Sequence, residues 1–149
     1  MSEIRLSRGR NAEKRGRRSE TFAAALLMLK GYRILGRRVR TRAGEIDLIA
    51  RAPGGVICFI EVKARGGELA ALDSISARQR GRIGQAAHLW LASRPGLRPK
   101  AIRYDVIALA PGRLPHHLRD AWRDAGRSPS PMSAPPDTPA PYLNALGDA

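Results

Sequence analysis

Cysteine is all but absent from this chain: of 149 residues only Cys58 carries a thiol. One thiol excludes a disulfide framework and a cysteine-rich zinc site. Cys58 falls inside an apolar run, where it is expected to pack as a small hydrophobe. No apolar run approaches the ~20 residues that span a bilayer, and the first residues lack the apolar stretch of a secretory leader. A reducing cytoplasm is the expected compartment. Aromatic residues make up 5% of the chain and lie within apolar patterns, so stacking platforms for RNA bases are not expected. Acidic residues are also scarce, 13 Asp and Glu against 27 Lys and Arg, for a net charge of +14.

That imbalance is uneven along the chain. Residues 1–42 hold thirteen Lys and Arg against Glu3, Glu13 and Glu20, a net of +10. A GC-rich genome inflates such an arginine count, but would not by itself explain the excess over acids. An anionic partner is expected, nucleic acid before membrane. Composition divides the chain into a basic flexible arm over 1–15, one domain over 16–125, and a Pro-, Ala- and Ser-rich disordered tail over 126–149. The length suits one domain with a sizeable core.

The chain is organised around residues 44–65, GEIDLIARAPGGVICFIEVKAR. Two strand-like runs, 45–51 and 56–65, flank a turn of Ala52, Pro53, Gly54 and Gly55. Period-two alternation places Ile46, Leu48 and Ala50 on one face and Glu45, Asp47 and Ile49 on the other. In the second run Ile57, Phe59, Glu61 and Lys63 share a face. Closed as an antiparallel hairpin, the pair sets Ile49 opposite Phe59 and Asp47 opposite Glu61. Like charges directly opposed across strands destabilise the pair. Either lysine and arginine partners or a divalent cation must offset them. Mg²⁺ or Mn²⁺ takes carboxylate oxygens together with water and phosphate oxygens, and a lysine beside such an ion can position a water. A salt-bridged strand end, with Lys63 on Glu61 and an arginine on Asp47, is the plainer alternative. Burying charge among apolar strand residues is costly, and that favours a functional site.

GEIDLIA followed by an apolar strand ending in IEVKAR resembles the PD-(D/E)XK, restriction-endonuclease-like nuclease superfamily. Within it the layout is similar to the YraN family of small bacterial proteins, whose fold is related to archaeal Holliday-junction resolvases. GRRSETFAAALLMLKGYRILGRRVRTRAGEID upstream, and ISARQRGRIGQAAHLWL and IRYDVIAL downstream, extend the resemblance over roughly residues 16–109. It implies an α/β fold with a restriction-endonuclease-like core, helix–strand–strand–strand–helix–strand, forming a mixed sheet with flanking helices. It implies Asp47, Glu61 and Lys63 as the catalytic set. Gly16 followed four residues later by Glu20 matches a family pattern that makes Glu20 an auxiliary metal ligand; a helix-start anion accounts equally for Glu20 from the residues alone. Gln79 falls where related nucleases place a polar helix residue near the site.

The flanking segments fill in the architecture. A helix is expected from about Arg18 to Gly31, capped by Ser19, with Phe22, Ala25, Leu26 and Leu29 as its apolar face. A basic strand, 32–42, carries Arg37, Arg38, Arg40 and Arg42, with a bulge at Gly36. These arginines and Arg65 would hold flanking phosphates, or simply protect a solvated edge strand. Residues 66–75 read as a loop and 76–93 as a helix. Ile83, Ala87 and Trp90 of that helix face the core. Residues 101–109 read as a strand parallel to 56–65. Asp105 within it reads as a structural acceptor, and 116–123 as a short helix docked through Leu118 and Trp122.

The expected function is a metal-dependent endonuclease of branched or single-stranded DNA. Asp47, Glu61 and Glu20, with the carbonyl of Val62, would hold Mg²⁺ or Mn²⁺, and Lys63 would position or activate the attacking water. One site cuts one strand, so paired cuts require a homodimer. The alternative is a non-catalytic nucleic-acid-binding module that recruits a partner. A third reading, an RNA-associated basic protein, shares the arginine load but lacks the aromatic platforms.

Overall fold

The computed structural model describes residues 2–64 and 68–124, with side chains from 16 to 64 and from 70 to 124. Arg65 and the segment 126–149 lie outside the described residues. Eight elements follow in order: α1 (Ser2–Leu29), β1 (Arg33–Thr41), β2 (Gly44–Arg51), β3 (Ile57–Lys63), α2 (Glu68–Asp73), α3 (Ala77–Ala92), β4 (Ile102–Ala108) and β5 (His116–Trp122). The strands form one sheet in the order β1-β2-β3-β4-β5. Only the β3–β4 pair is parallel; the rest are antiparallel. This is the mixed α/β sheet with flanking helices that the motifs imply. None of the described helices is long and apolar enough to cross a membrane.

The sheet lies between two cores. Phe59, Ile57, Ile49, Tyr104 and Val106 pack with Ile83, Ala87 and Trp90 of α3 on one side. Leu48, Ala50, Cys58, Ile60 and Ile107 pack with Ala23, Ala24 and Leu27 of α1 on the other. The β2–β3 hairpin closes through Ala52–Gly55, and Ile49 pairs with Phe59, the expected register. The bulge at Gly36 is present, as a register shift between Ile34 and Gly36. Trp90 is core, edge-on to Phe59 with ring centroids 5.9 Å apart.

Four local expectations are corrected. Helix α1 begins at Ser2 and passes through Ser19 instead of being capped there. Its early residues are rich in Arg, Glu and Lys, all good helix formers. It stops as expected: Gly31, at φ 84, and Tyr32 donate to the carbonyls of Met28 and Leu27, closing a Schellman motif. The face of α1 that packs on the sheet carries Ala23, Ala24 and Leu27, not Phe22, Ala25 and Leu29. Residues 68–73, expected as part of a loop, form α2, with Ala71 buried behind it. Residues 116–122 form a strand, not a helix. Leu118 and Trp122 share a face in either conformation, because a spacing of four suits both periods. The unpaired edge of β4 decides for the strand, and Trp122 stacks on Tyr104 across that pair at 5.4 Å.

Asp105 is fully buried and anchors β5. It accepts both Arg103 Nε (2.7 Å) and an Arg103 terminal nitrogen (2.8 Å), lies 2.8 Å from His117 Nε2, and accepts the Asp120 amide (3.0 Å). Burial alone would raise its pKa. The hydrogen bonds from His117, Arg103 and Asp120 outweigh it and hold the carboxyl below its ordinary value. Asp105 is therefore the structural acceptor expected of it, and His117 is committed to it.

Candidate active site

The site forms where β2 and β3 part. Their pairing runs from Arg51↔Ile57 to Leu48↔Ile60 and stops one pair short of Asp47 and Glu61. The Val62 amide, instead of bonding along the ladder, donates to Asp47 Oδ2 at 2.8 Å. The strand alternation also breaks here. Ile46 and Ile49 both pack towards α3, while Leu48 packs towards α1 and the Asp47 carboxylate meets α1 at Glu20. The neighbouring residue on β1, Arg38, has a left-handed backbone at φ 46, a conformation that a non-glycine residue rarely adopts. Such backbone distortions gather at functional sites.

Glu20, Glu45 and Asp47 converge, each offering an oxygen within 4.8 Å of the others. Glu20 comes from the buried side of α1, with 8% of its surface exposed. Glu45 was not singled out as a ligand by sequence reasoning, although alternation had placed it on the same face as Asp47. The Arg38 guanidinium lies 3.4 Å from Glu20 and 3.6 Å from Glu45. Its Nε is buried without a hydrogen bond.

Glu61 occupies the neighbouring position on the α3 side. It accepts Gln79 Nε2 at 2.9 Å, and Lys63 Nζ lies 3.2 Å from the same oxygen. Gln79 is positioned by the start of α3: Ser76 caps the helix and accepts the Gln79 amide at 3.1 Å. Ser76 and Gln79 have the spacing of a capping box, but the Gln79 side chain reaches across to Glu61. The structure thus brings together Asp47, Glu61, Lys63, Glu20 and Gln79.

The electrostatics show a site short of positive charge. Burial raises the Glu61 carboxyl to about 7, and the Asp47 charge adds to the rise, while Lys63 opposes it. Burial also raises Asp47, offset in part by the Val62 amide and by a side-chain hydrogen bond with Glu61. Burial raises Glu20, and Asp47 pushes it further. Four carboxylates face three close cations, Arg38, Arg40 and Lys63, and the surplus negative charge is held by raised proton affinity at Glu20, Asp47 and Glu61. A hard divalent cation suits this donor set, which is entirely oxygen.

The arginines divide. Arg38 and Arg40 lie on the carboxylates, Arg40 Nε donating to Glu45 at 3.2 Å. Arg37 donates to Thr21 Oγ1 at 2.8 Å, tying β1 to α1. Arg42 is carried away to the β1–β2 turn, where it lines a groove with Gln85, His88 and Leu89 of α3.

A sheet whose second strand carries an acid and whose third ends in acid–apolar–lysine, with a helix leading to a parallel fourth strand, is the α/β arrangement that the restriction-endonuclease-like resemblance implies. The chain belongs to Uncharacterised protein family UPF0102, whose model matches residues 19–109; this is the YraN family that the motifs resemble. It is 55% identical to a UPF0102 protein of Maricaulis maris over 76% of this chain and 88% of that one. A UPF0102 protein of Rhizobium etli is also 55% identical, over 76% of this chain and 92% of that one. One from Caulobacter vibrioides is 52% identical, over 82% of this chain and 97% of that one. A chain in the structure of an EndoMS–dsDNA2 complex aligns with a TM-score of 0.34 at 19% identity, covering 64% of this chain and 46% of that one. Likeness at that level carries no argument about this chain.

Proposed function

We propose that this protein is a metal-dependent nuclease that hydrolyses phosphodiester bonds in branched or single-stranded DNA. The observation that carries the reading is the meeting of Asp47, Glu61, Lys63 and Gln79 with the Glu20–Glu45–Asp47 oxygen cluster at one end of the sheet. Strongly perturbed carboxyls held together by burial and by specific charged neighbours gather at functional sites.

Asp47, Glu20 and Glu45 would hold Mg²⁺ or Mn²⁺, with Glu61 alongside. The bound ion would supply positive charge at the reacting phosphate. Lys63, held by Glu61, positions a water or stabilises the charge that develops on the phosphoryl oxygens. Gln79 fixes the Glu61 carboxylate while leaving its second oxygen free of this bond. The Val62 amide does the same for Asp47. Arg40 and Arg65 would grip flanking phosphates, and such contacts position the backbone without reading sequence. Arg37, Arg38 and Arg42 join them only by releasing or extending from their present places. The basic residues of 1–15, which lie on the first half of α1 from Ser2, would add to the attraction for nucleic acid. The protein would act in the cytoplasm, as a homodimer where both strands are cut.

A second reading rests on Arg38. Its guanidinium already neutralises Glu20 and Glu45, so the cluster can persist without metal in a module that binds nucleic acid and leaves it intact. Cleavage of labelled single-stranded, duplex, flap and four-way-junction DNA separates the two. With Mg²⁺ or Mn²⁺, the wild type is expected to cut, EDTA to abolish cutting, and Asp47→Ala and Lys63→Ala to reduce it by at least about 100-fold. Salt-sensitive binding without cuts, unaltered by either substitution, would establish the module instead.

A further inference from the structure

Helix α1 is apolar on two opposite faces. One is the buried face already described, Ala23, Ala24 and Leu27. The other carries Phe22, Ala25 and Leu29, with Leu26 half-buried at its border and Met28 beside it. Phe22 and Met28 are each 57% exposed and Leu29 is 87% exposed. The spacing i, i+3, i+7 makes a single stripe two turns long, about 10 Å along the axis. A helix apolar all round is normally buried all round.

We infer that this outer stripe of α1 docks an acidic amphipathic helix of a partner protein. Charge selects the occupant. Between residues 16 and 42 the only acid is Glu20, and it is buried against Arg38. Exposed Arg17 and Arg18 precede the stripe in the chain, and exposed Lys30, whose Nζ lies 2.9 Å from His117 Nδ1, and Arg33 follow it. Any partner covering Phe22 and Leu29 therefore meets positive charge at both ends. Size argues against a second copy. The exposed apolar side chains amount to on the order of 400 Å², about half of what each partner gives to a stable interface, and two copies of charge +14 repel. Nucleic acid has no apolar ridge to cover the stripe. Helices that lie in a lipid surface usually present a longer apolar face than two turns. An apolar ridge at matching helical spacing, flanked by carboxylates, fits both the length and the charge. The inference is independent of the nuclease reading.

The test uses the full-length protein and two synthetic helical peptides of about 18 residues. Both carry leucines at i, i+3, i+4 and i+7; one has glutamates at its flanks and the other lysines. Fluorescence anisotropy is expected to show the acidic peptide binding at least about 100-fold more tightly, with Phe22→Asp and Leu29→Asp each weakening it about tenfold or more. Both substitutions are at exposed positions, and unchanged circular dichroism and melting temperature confirm the fold of each variant. Equal affinity for the two peptides, or binding that survives both substitutions, overturns the inference. So does a wild-type dimer dissolved by Leu29→Asp, which would make a second copy the occupant. Capture by anionic phosphatidylglycerol vesicles, lost in Leu29→Asp while the acidic peptide fails to bind, would assign the stripe to lipid.

Discussion

Glu61→Gln should make the protein more stable, with the advantage growing as pH rises from about 4.5 to about 7 and holding above it. Glu61 is 8% exposed and its carboxyl is raised by burial, and then by Asp47, from 4.5 to about 7. A carboxyl raised on folding binds its proton more tightly in the native state than in the unfolded chain. Its contribution to stability is therefore present below about pH 4.5 and lost as pH rises through about 7. At about 1.36 kcal/mol per pH unit, that displacement is worth on the order of 3 kcal/mol. Glutamine keeps the shape and can still accept Gln79 Nε2, but never ionises. Asp47 is raised as well, by burial first and then by Glu45, while its hydrogen bond with Glu61 lowers it; glutamine keeps a donor that can maintain that bond.

The assay is urea denaturation of wild type and Glu61→Gln from about pH 5 to about pH 9 with EDTA present. The two stabilities should be close at the acid end. They should diverge by roughly 3 kcal/mol in favour of the variant at the alkaline end. Adding Mg²⁺ should close the gap by stabilising the wild type, since an ion that binds only the folded state raises its apparent stability. A difference that does not change with pH would refute the reasoning, because it would mean that Glu61 ionises as easily in the fold as outside it.

Two further outcomes follow from the core. Asp105→Asn should destabilise the protein by about 2–4 kcal/mol in the same urea assay, because the partly buried Arg103 guanidinium keeps its charge without a countercharge. The Asp105 carboxyl is held below its ordinary value, so the wild type should lose this contribution as pH falls through that depressed value, and the gap between wild type and Asp105→Asn should narrow in acid. Cys58 is buried and its thiol is pushed up to about 12 by burial and by Asp105; iodoacetamide should leave it intact in the native protein and label it rapidly in urea, as read by intact mass. Labelling of the native protein at the unfolded rate would contradict that burial.

Much of the site could be read in the sequence because its parts lie on two adjacent strands. The Ala52–Gly55 turn fixes the hairpin, and the hairpin fixes Ile49 opposite Phe59. Glu61 and Lys63 then follow from strand periodicity, whereas the break in alternation turns Asp47 towards α1. Gln79 was placed by family pattern, and the Ser76 cap shows how it reaches Glu61. Glu45 went unselected because one acid beside another on a strand end is ordinary. Its position beside Glu20 depends on how α1 crosses the sheet. Arg38 was read as a phosphate grip because its sign, not its direction, is visible in sequence; its left-handed backbone turns it onto Glu20 and Glu45.

The sequence alone determined the sheet's central hairpin, the helix–strand crossover after it, and the charge that points to an anionic partner. These depend on local periodicity, turn chemistry and composition, which require no knowledge of what lies across the core. The tertiary structure decided which face of α1 is buried, since Phe22–Leu29 and Ala23–Leu27 are both apolar at helical spacing and only the small residues let the helix sit close to the sheet. It also decided that residues 116–122 form a strand, because the open edge of β4 supplied the hydrogen bonds. Finally, it decided that four carboxylates share one end of the sheet, where Asp47 raises the cost of charging Glu20 and Glu61, and Glu45 that of charging Glu20 and Asp47.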